Sequence, residues 1–289
     1  MLLHAPDRRA ASTLAVVLMV VVVIAAFSLL VATALFLRPL IPVTGPGAGP
    51  GAEVAGSGRV VTKELQFTDF TAVHIGSAFQ ARITYSSSYR VSVTMDDNLF
   101  DYLQVSKEGG ALVIGLKPGY EYRYQSLTLR AEIQLPDLNE LQMGGATRGT
   151  VQGFSSSHRF VLLISGASSL EIADTSAGDI EIDISGASRL SGSMTAIGDV
   201  RFTVSGAGAA TLGGKANNLL IVGSGASHAD LSDFTVHDAR VNLSGASQAT
   251  VNLDGRLDAD LSGASTLLYI GDPTLGDISV TGGSTISKK

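Results

Sequence analysis

Apolar and polar residues alternate in short runs through most of the second half of the chain. In Ile180, Glu181, Ile182, Asp183, Ile184 every second residue is apolar, the period of a strand with one buried face. Ser185, Gly186, Ala187 and Ser188 interrupt the run, and Leu190 resumes the apolar face. The same order returns with Val200, Phe202 and Val204 before Gly206, and with Ala210 and Leu212 after it. It returns again with Leu219 and Ile221, with Val241 and Leu243, and with Leu257, Ala259 and Leu261. Each unit is predicted to hold a strand, a corner at Gly-Ala, and a second, shorter strand.

The unit repeats with a fixed step. The corner glycines Gly145, Gly166, Gly186, Gly206, Gly225, Gly245, Gly263 and Gly283 follow one another at intervals of 21, 20, 20, 19, 20, 18 and 20 residues. A period this regular marks a solenoid, in which each repeat is one coil stacked on the last. The predicted fold class is all-β, a single-stranded parallel β-solenoid (β-helix), regular over 142–289 and preceded by one N-terminal transmembrane helix. Coils stack at about 4.8 Å. Glycine suits the corner because it accepts positive φ, and a larger residue there collides with its own copies. Alanine is expected where the corner is too tight for leucine. The flanking serines are expected to bond to neighbouring backbone or to the next serine in the column. A core this narrow is expected to leave little room for Phe or Trp. A β-sandwich also gives many short strands, but it does not need one tetrapeptide at one phase in every unit.

The rest of the chain divides by composition. Residues 13–37 carry no charge and are rich in Val, Leu, Ala and Ile, long enough to cross a bilayer, which takes about 20 residues. Arg8 and Arg9 precede them, so residues 1–12 are expected in the cytoplasm and the remainder outside. The alternative is signal-peptide cleavage near Ala34, within the small-x-small sequence Ala32, Thr33, Ala34. Residues 38–58 are Pro/Gly-rich and read as a linker. Residues 59–141 are expected to make the N-terminal capping coils, with strands at 73–76, 81–84, 91–94 and 111–114. Lys288 and Lys289 at the other end deter edge-to-edge stacking. No cysteine is present, so the fold holds without disulfides. Setting aside Arg8, Arg9, Arg38 and Asp7, the 20 basic and 26 acidic residues leave a balance of −8. That balance disfavours a nucleic-acid partner.

Candidate chemistry is sparse. His4, His74, His158, His228 and His237 show no metal-ligand spacing. The serine column from Ser165 to Ser262 reads as structural, because a nucleophile needs one privileged place beside a base. Asp179, Asp199 and Asp238, with Asn218 between, each stand seven residues before a corner glycine. Turn chemistry explains them; calcium binding between coils is the alternative, although the glycine-rich nonapeptide of calcium-binding β-rolls is absent. Paired carboxylates of a polysaccharide hydrolase are a further alternative, which this spacing could meet by accident. The tyrosines stand apart: Tyr120, Tyr122 and Tyr124 alternate with Glu121 and Arg123 and share one face of a strand. They read as a cap over the first coils or as a ligand patch, since tyrosine joins a flat apolar body to a polar tip.

The lead-in Phe67 to Val73 and the ladder of Ser-Gly-Ala-Ser corners resemble the bacterial head-GIN domain family, labelled auto-transporter adhesins. The resemblance covers about Val60 to the C-terminus. It implies a β-solenoid in a bacterial cell envelope and brings no demonstrated catalytic residue; no cofactor is expected. The C-terminal series of membrane strands that an outer-membrane translocator needs is not visible. The expected function is a non-enzymatic structural or adhesive module, with the membrane and an unidentified protein or glycan as partners. The alternatives are a sensor or regulatory ectodomain of an envelope complex and, third, the polysaccharide hydrolase.

Overall fold

The computed structural model describes residues 53–289. The predicted membrane run at 13–37, the residues before it and the first part of the predicted linker 38–58 lie outside the described residues; its last part, 53–58, corrects the expectation of a linker, since Glu53–Val54 is a strand with Val54 buried. Among the described residues no helix is long and apolar enough to cross a membrane. The rest is a parallel β-solenoid of about seven turns, built on one 11-stranded and one 12-stranded sheet. From Glu140 onward each coil gives one strand to each sheet, and each strand pairs in parallel with those one coil before and after. Phe160–Ile164 lies in register on Ile180–Ile184, which lies on Val200–Val204.

In the middle coils the strand after the corner is the longer one, contrary to expectation. Ile180–Ile184 has 5 residues, whereas Arg189–Ala196 has 8. The extra length carries a second bend. Pairing shifts register between Ile172 and Thr175, and Asp174, Gly192 and Gly214 there have φ of 47°, 122° and 135°. A Cβ on Gly192 would lie 1.9 Å from the Ile172 carbonyl oxygen, so only glycine fits.

The Gly-Ala corner is governed by close stacking of backbone. Gly145, Gly166, Gly186, Gly206, Gly225, Gly245 and Gly263 all have positive φ, between 70° and 77°. A Cβ on Gly166 would stand 2.3 Å from the Gly145 oxygen, and one on Gly186 2.4 Å from the Gly166 oxygen. The next residue closes the ladder: Ala167 N–H donates to Gly145 O, and Ala187 N–H to Gly166 O, both at 2.8 Å. The last corner corrects the sequence reading. Gly282, not Gly283, has the positive φ, 67°, and Gly283 stands in the alanine place, donating to Gly263 O at 2.7 Å. Two adjacent glycines hid a phase slip of one residue. The corner alanines are also not in a tight interior: Ala167, Ala187, Ala226, Ala246 and Ala264 are exposed.

The fourth residue of the tetrapeptide points inward. Thr147, Ser168, Ser188, Ser227, Ser247 and Ser265 are buried. Ser247 and Ser265 donate to the carbonyl three residues back, at 2.7 and 2.8 Å, which satisfies a hydroxyl inside an apolar core. The rest of the interior is stacked aliphatics such as Ile182, Ile221 and Val241. Phenylalanine fits after all: Phe160, Phe202 and Phe234 are at most 2% exposed. For Phe234 a glycine in the neighbouring coil leaves room. A Cβ on Gly214 would come within 3.2 Å of the Phe234 ring.

Residues 59–141 combine parallel and antiparallel pairing. Ala72–Ile75 and Gln80–Tyr85 form a coil that stacks on Glu140–Met143 and Arg148–Gln152. Its corner is Ser77–Ala78, with φ of 58° and 65°. On its other side lies a coil made from later residues, Ala111–Leu116 and Leu129–Leu135. Beyond that, Arg90–Asp96 and Leu103–Glu108 pair antiparallel to Leu129–Leu135 and Ala111–Leu116. Val60–Leu65 completes this end, antiparallel to Arg90–Asp96.

The corner geometry separates two kinds of glycine. Gly119 has φ 89° and open space within 4 Å of where a Cβ would stand, whereas a Cβ on Gly186 would meet backbone. Gly119→Ala should cost only the positive-φ strain, about 1–2 kcal/mol. Gly186→Ala should cost clearly more, because two coils must part. Urea unfolding of both variants checks this; equal losses would mean that the stack does not restrict the corner.

Candidate functional site

The outermost coil lacks a Gly-Ala corner. In its place residues 117–128 leave Leu116 and return at Leu129 as a loop. Tyr120, Tyr122 and Tyr124 stand on this loop, though only Glu121–Tyr122 is a strand. The three rings still meet, with centroids 6.2 Å apart for Tyr120 and Tyr122 and 6.0 Å for Tyr122 and Tyr124. A fourth ring joins them. Tyr102, the last residue of the short 3-10 helix Asp97–Tyr102, packs edge-on against Tyr120 at 4.9 Å and against Tyr122 at 6.2 Å. Edge-to-face packing is the favoured aromatic geometry. Tyr102 is too far from the loop in sequence for spacing to reveal it.

The cluster is a platform with one open edge. Tyr120 and Tyr122 are half-buried and pack against the core, while Tyr124 is 44% exposed. The Tyr122 hydroxyl donates to Lys117 O at 2.7 Å. Burial pushes the Tyr122 phenol well above its ordinary pKa, and the neighbouring tyrosines Tyr124, Tyr120 and Tyr102 push the same way. Burial also raises Tyr124. The face offers flat apolar area with polar tips.

A second concave feature, a groove of about 510 Å³, runs over the outer face of the 11-stranded sheet. Its charges largely satisfy one another or the backbone. Arg159 pairs with Glu181, and Arg256 with Asp258 at 2.8 Å. The Asp179 carboxylate accepts the Asp199 N–H at 2.9 Å, Asp199 accepts that of Asn218 at 3.2 Å, and Asp238 accepts that of Arg256 at 2.6 Å. Asp179, Asp199 and Asp238 thus each bond to backbone one coil later, a tie between coils in place of the local turn bonding expected from sequence. Among the described residues no three His, Asp or Glu side chains gather as a metal-ligand set.

The histidines are dispersed. His74 Nε2 lies 2.8 Å from Glu140 and His237 Nδ1 lies 2.8 Å from Asp254; the hydrogen bond to Asp254 raises the His237 pKa. His158 faces Asp137, and His4 lies outside the described residues. Ser165, Ser244 and Ser262 reach back to carbonyls of the preceding coil at 3.3–3.4 Å.

A parallel β-solenoid with glycine corners, capped by antiparallel strands and an aromatic loop, is the class that fold and site define. The chain belongs to the family described as "putative auto-transporter adhesin, head GIN domain", whose model matches residues 69–273. Solved structures share the fold. A protein from Parabacteroides merdae described as a "putative adhesin" is 17% identical, with TM-score 0.74 over 83% of this chain and 100% of its own. A "putative adhesin" from Parabacteroides distasonis is 20% identical, with TM-score 0.72 over 82% of this chain and 100% of its own. A "putative lipid binding protein" from the same species is 20% identical, with TM-score 0.68 over 82% of this chain and 99% of its own. Identities this low carry the fold alone. No curated protein matches the chain.

One acidic group on the groove face works against the fold. Burial raises the Asp183 carboxyl above its ordinary pKa, partly offset by Arg201. A raised carboxylate pKa means that ionisation costs more folded than unfolded. Asp183→Asn should therefore raise the melting temperature at pH 7. The gain should vanish once the pH falls below the ordinary carboxylate range, where both residues are neutral. Thermal melts at pH 7 and pH 3 check the sign.

Proposed function

We propose that this protein is a non-enzymatic module of the bacterial cell envelope that makes adhesive or structural contacts through the tyrosine face. Residues 13–37 serve as its membrane anchor, and the Pro/Gly-rich segment 38–52 holds the solenoid off the membrane. The partner is a protein or a glycan of the envelope or of a neighbouring cell.

One observation carries this reading. Tyr102, Tyr120, Tyr122 and Tyr124 form a packed aromatic surface with an open side, where Tyr124 is 44% exposed. Aromatic platforms recur at contact surfaces because they desolvate a large area at little entropic cost. Membership of an adhesin-like family supports the same reading. A backbone ladder repeated over many coils supplies a stiff base for such contacts.

Replacing Tyr120, Tyr122 and Tyr124 together by Ser should leave the coils folded and cut binding to washed cells of the native host by about tenfold or more, given about 2 kcal/mol or more for each central aromatic contact. Circular dichroism confirms folding, and cell-bound protein is counted by a fluorescent label. Undiminished binding by the folded variant would remove the tyrosine face from the proposal.

A further inference from the structure

The tyrosine loop is not held by the solenoid alone. Glu121–Tyr122 belongs to a two-stranded sheet whose other member is Glu53–Val54. Val54 is buried. Arg123 N–H donates to Val54 O at 3.0 Å, and the Arg123 side chain donates to Glu53 at 2.5 Å. The segment 53–58 then crosses to the 3-10 helix. Ser57 N–H donates to Asn98 Oδ1 at 3.0 Å, and Asn98 Nδ2 donates to Ala55 O at 2.9 Å.

A buried carboxylate adds a second tie between this strap and the loop. Asp96 is 1% exposed. Its Oδ1 accepts the Gly58 N–H at 2.8 Å, from the strap. Its Oδ2 accepts the Thr128 N–H at 2.9 Å, from the root of the tyrosine loop. Gly56 lies so close that a Cβ would stand 2.7 Å from the Asp96 carboxyl carbon. A buried carboxylate is costly without its donors. Lifting the strap removes one of them, so strap and loop root hold or release together. Tyr102 closes the helix that begins at Asp97, which brings the fourth ring under the same control.

We propose that residues 53–58 are a latch for the tyrosine face, with Asp96 as its positioning residue, and that binding at the face requires the latch closed. This rests on the reading of the tyrosine face as the contact surface. The strap is the direct continuation of the Pro/Gly-rich segment. A pull on that segment therefore meets the strap before it reaches any coil.

The test uses the full chain in detergent with Val54→Asp, Glu53→Arg, and the charge-reversed pair Glu53→Arg with Arg123→Glu. Amide hydrogen exchange is read at 117–128 and at 160–164, and binding is read on washed host cells. Glu53→Arg should speed exchange at 117–128 by a few-fold, the scale of an exposed ion pair, and Val54→Asp by about tenfold or more, because it places a charge at a buried position. Exchange at 160–164 should not change, and cell binding should fall in both variants, with Val54→Asp to the level of the triple tyrosine variant. The charge-reversed pair should restore both. If Val54→Asp also loosens the coils, the charge-reversed pair decides. Unchanged exchange at 117–128 overturns the latch, and faster exchange with full binding overturns its control of the face. Full binding by the triple tyrosine variant overturns the contact-surface reading instead, and is separable because exchange is measured without any ligand.

Discussion

The hydrogen bond from each corner alanine to the glycine carbonyl one coil earlier sets the geometry of the molecule. At 2.7–2.8 Å it draws successive corners together until no Cβ can stand between them. That closeness fixes the register of both sheets, since the strands leave the corner in opposite directions and have no freedom to slide. Register then decides burial. Ile182 stacks on Phe202, and Phe202 on Ile221, because the corners beside them coincide. The inward column of Thr147, Ser168 and their successors belongs to the same arrangement, as the first side chain inside the bend.

Much of this was legible in the sequence because the repeat is local and chemical. Glycine at a fixed step, with apolar residues alternating on both sides, specifies the coil and its stacking. The second bend was not legible, since Asp174, Gly192 and Gly214 solve the same backbone problem with different residues at slightly different places. Ser77 escaped notice for a related reason: it occupies the corner of its coil with φ 58° but carries a side chain. Gly282 was misplaced because a glycine follows it. The size of the core was misjudged too. Phe234 fits only because Gly214 in the adjacent coil leaves a hollow, and that pairing is invisible without register.

The tyrosine face was half legible. Three tyrosines at alternate positions mark an aromatic surface, and their rings do meet. Tyr102 and Asp96 belong to the same assembly but are brought in by antiparallel strands with no repeat to give them away. Asp96 has no feature in the sequence that separates it from other acidic residues; only its burial between two backbone donors does. The Asp179 column reads in sequence as turn-forming and instead accepts backbone N–H groups of the next coil. Periodicity reveals what every coil needs, whereas a site is what one coil does differently.

The coil at 72–85 lies between residues 111–135 on one side and 140–152 on the other. Its outer neighbour is thus made later in the chain than itself. A chain emerging from its N-terminus cannot finish this end until residue 135 is free, and must then reverse direction along the axis. Every later winding needs only the one before it, about twenty residues away. The capping end therefore depends on distant pairings, whereas each later coil depends only on its neighbours. A defect in the first part would leave nothing for the remainder to grow on, while a defect near residue 280 would cost a single layer.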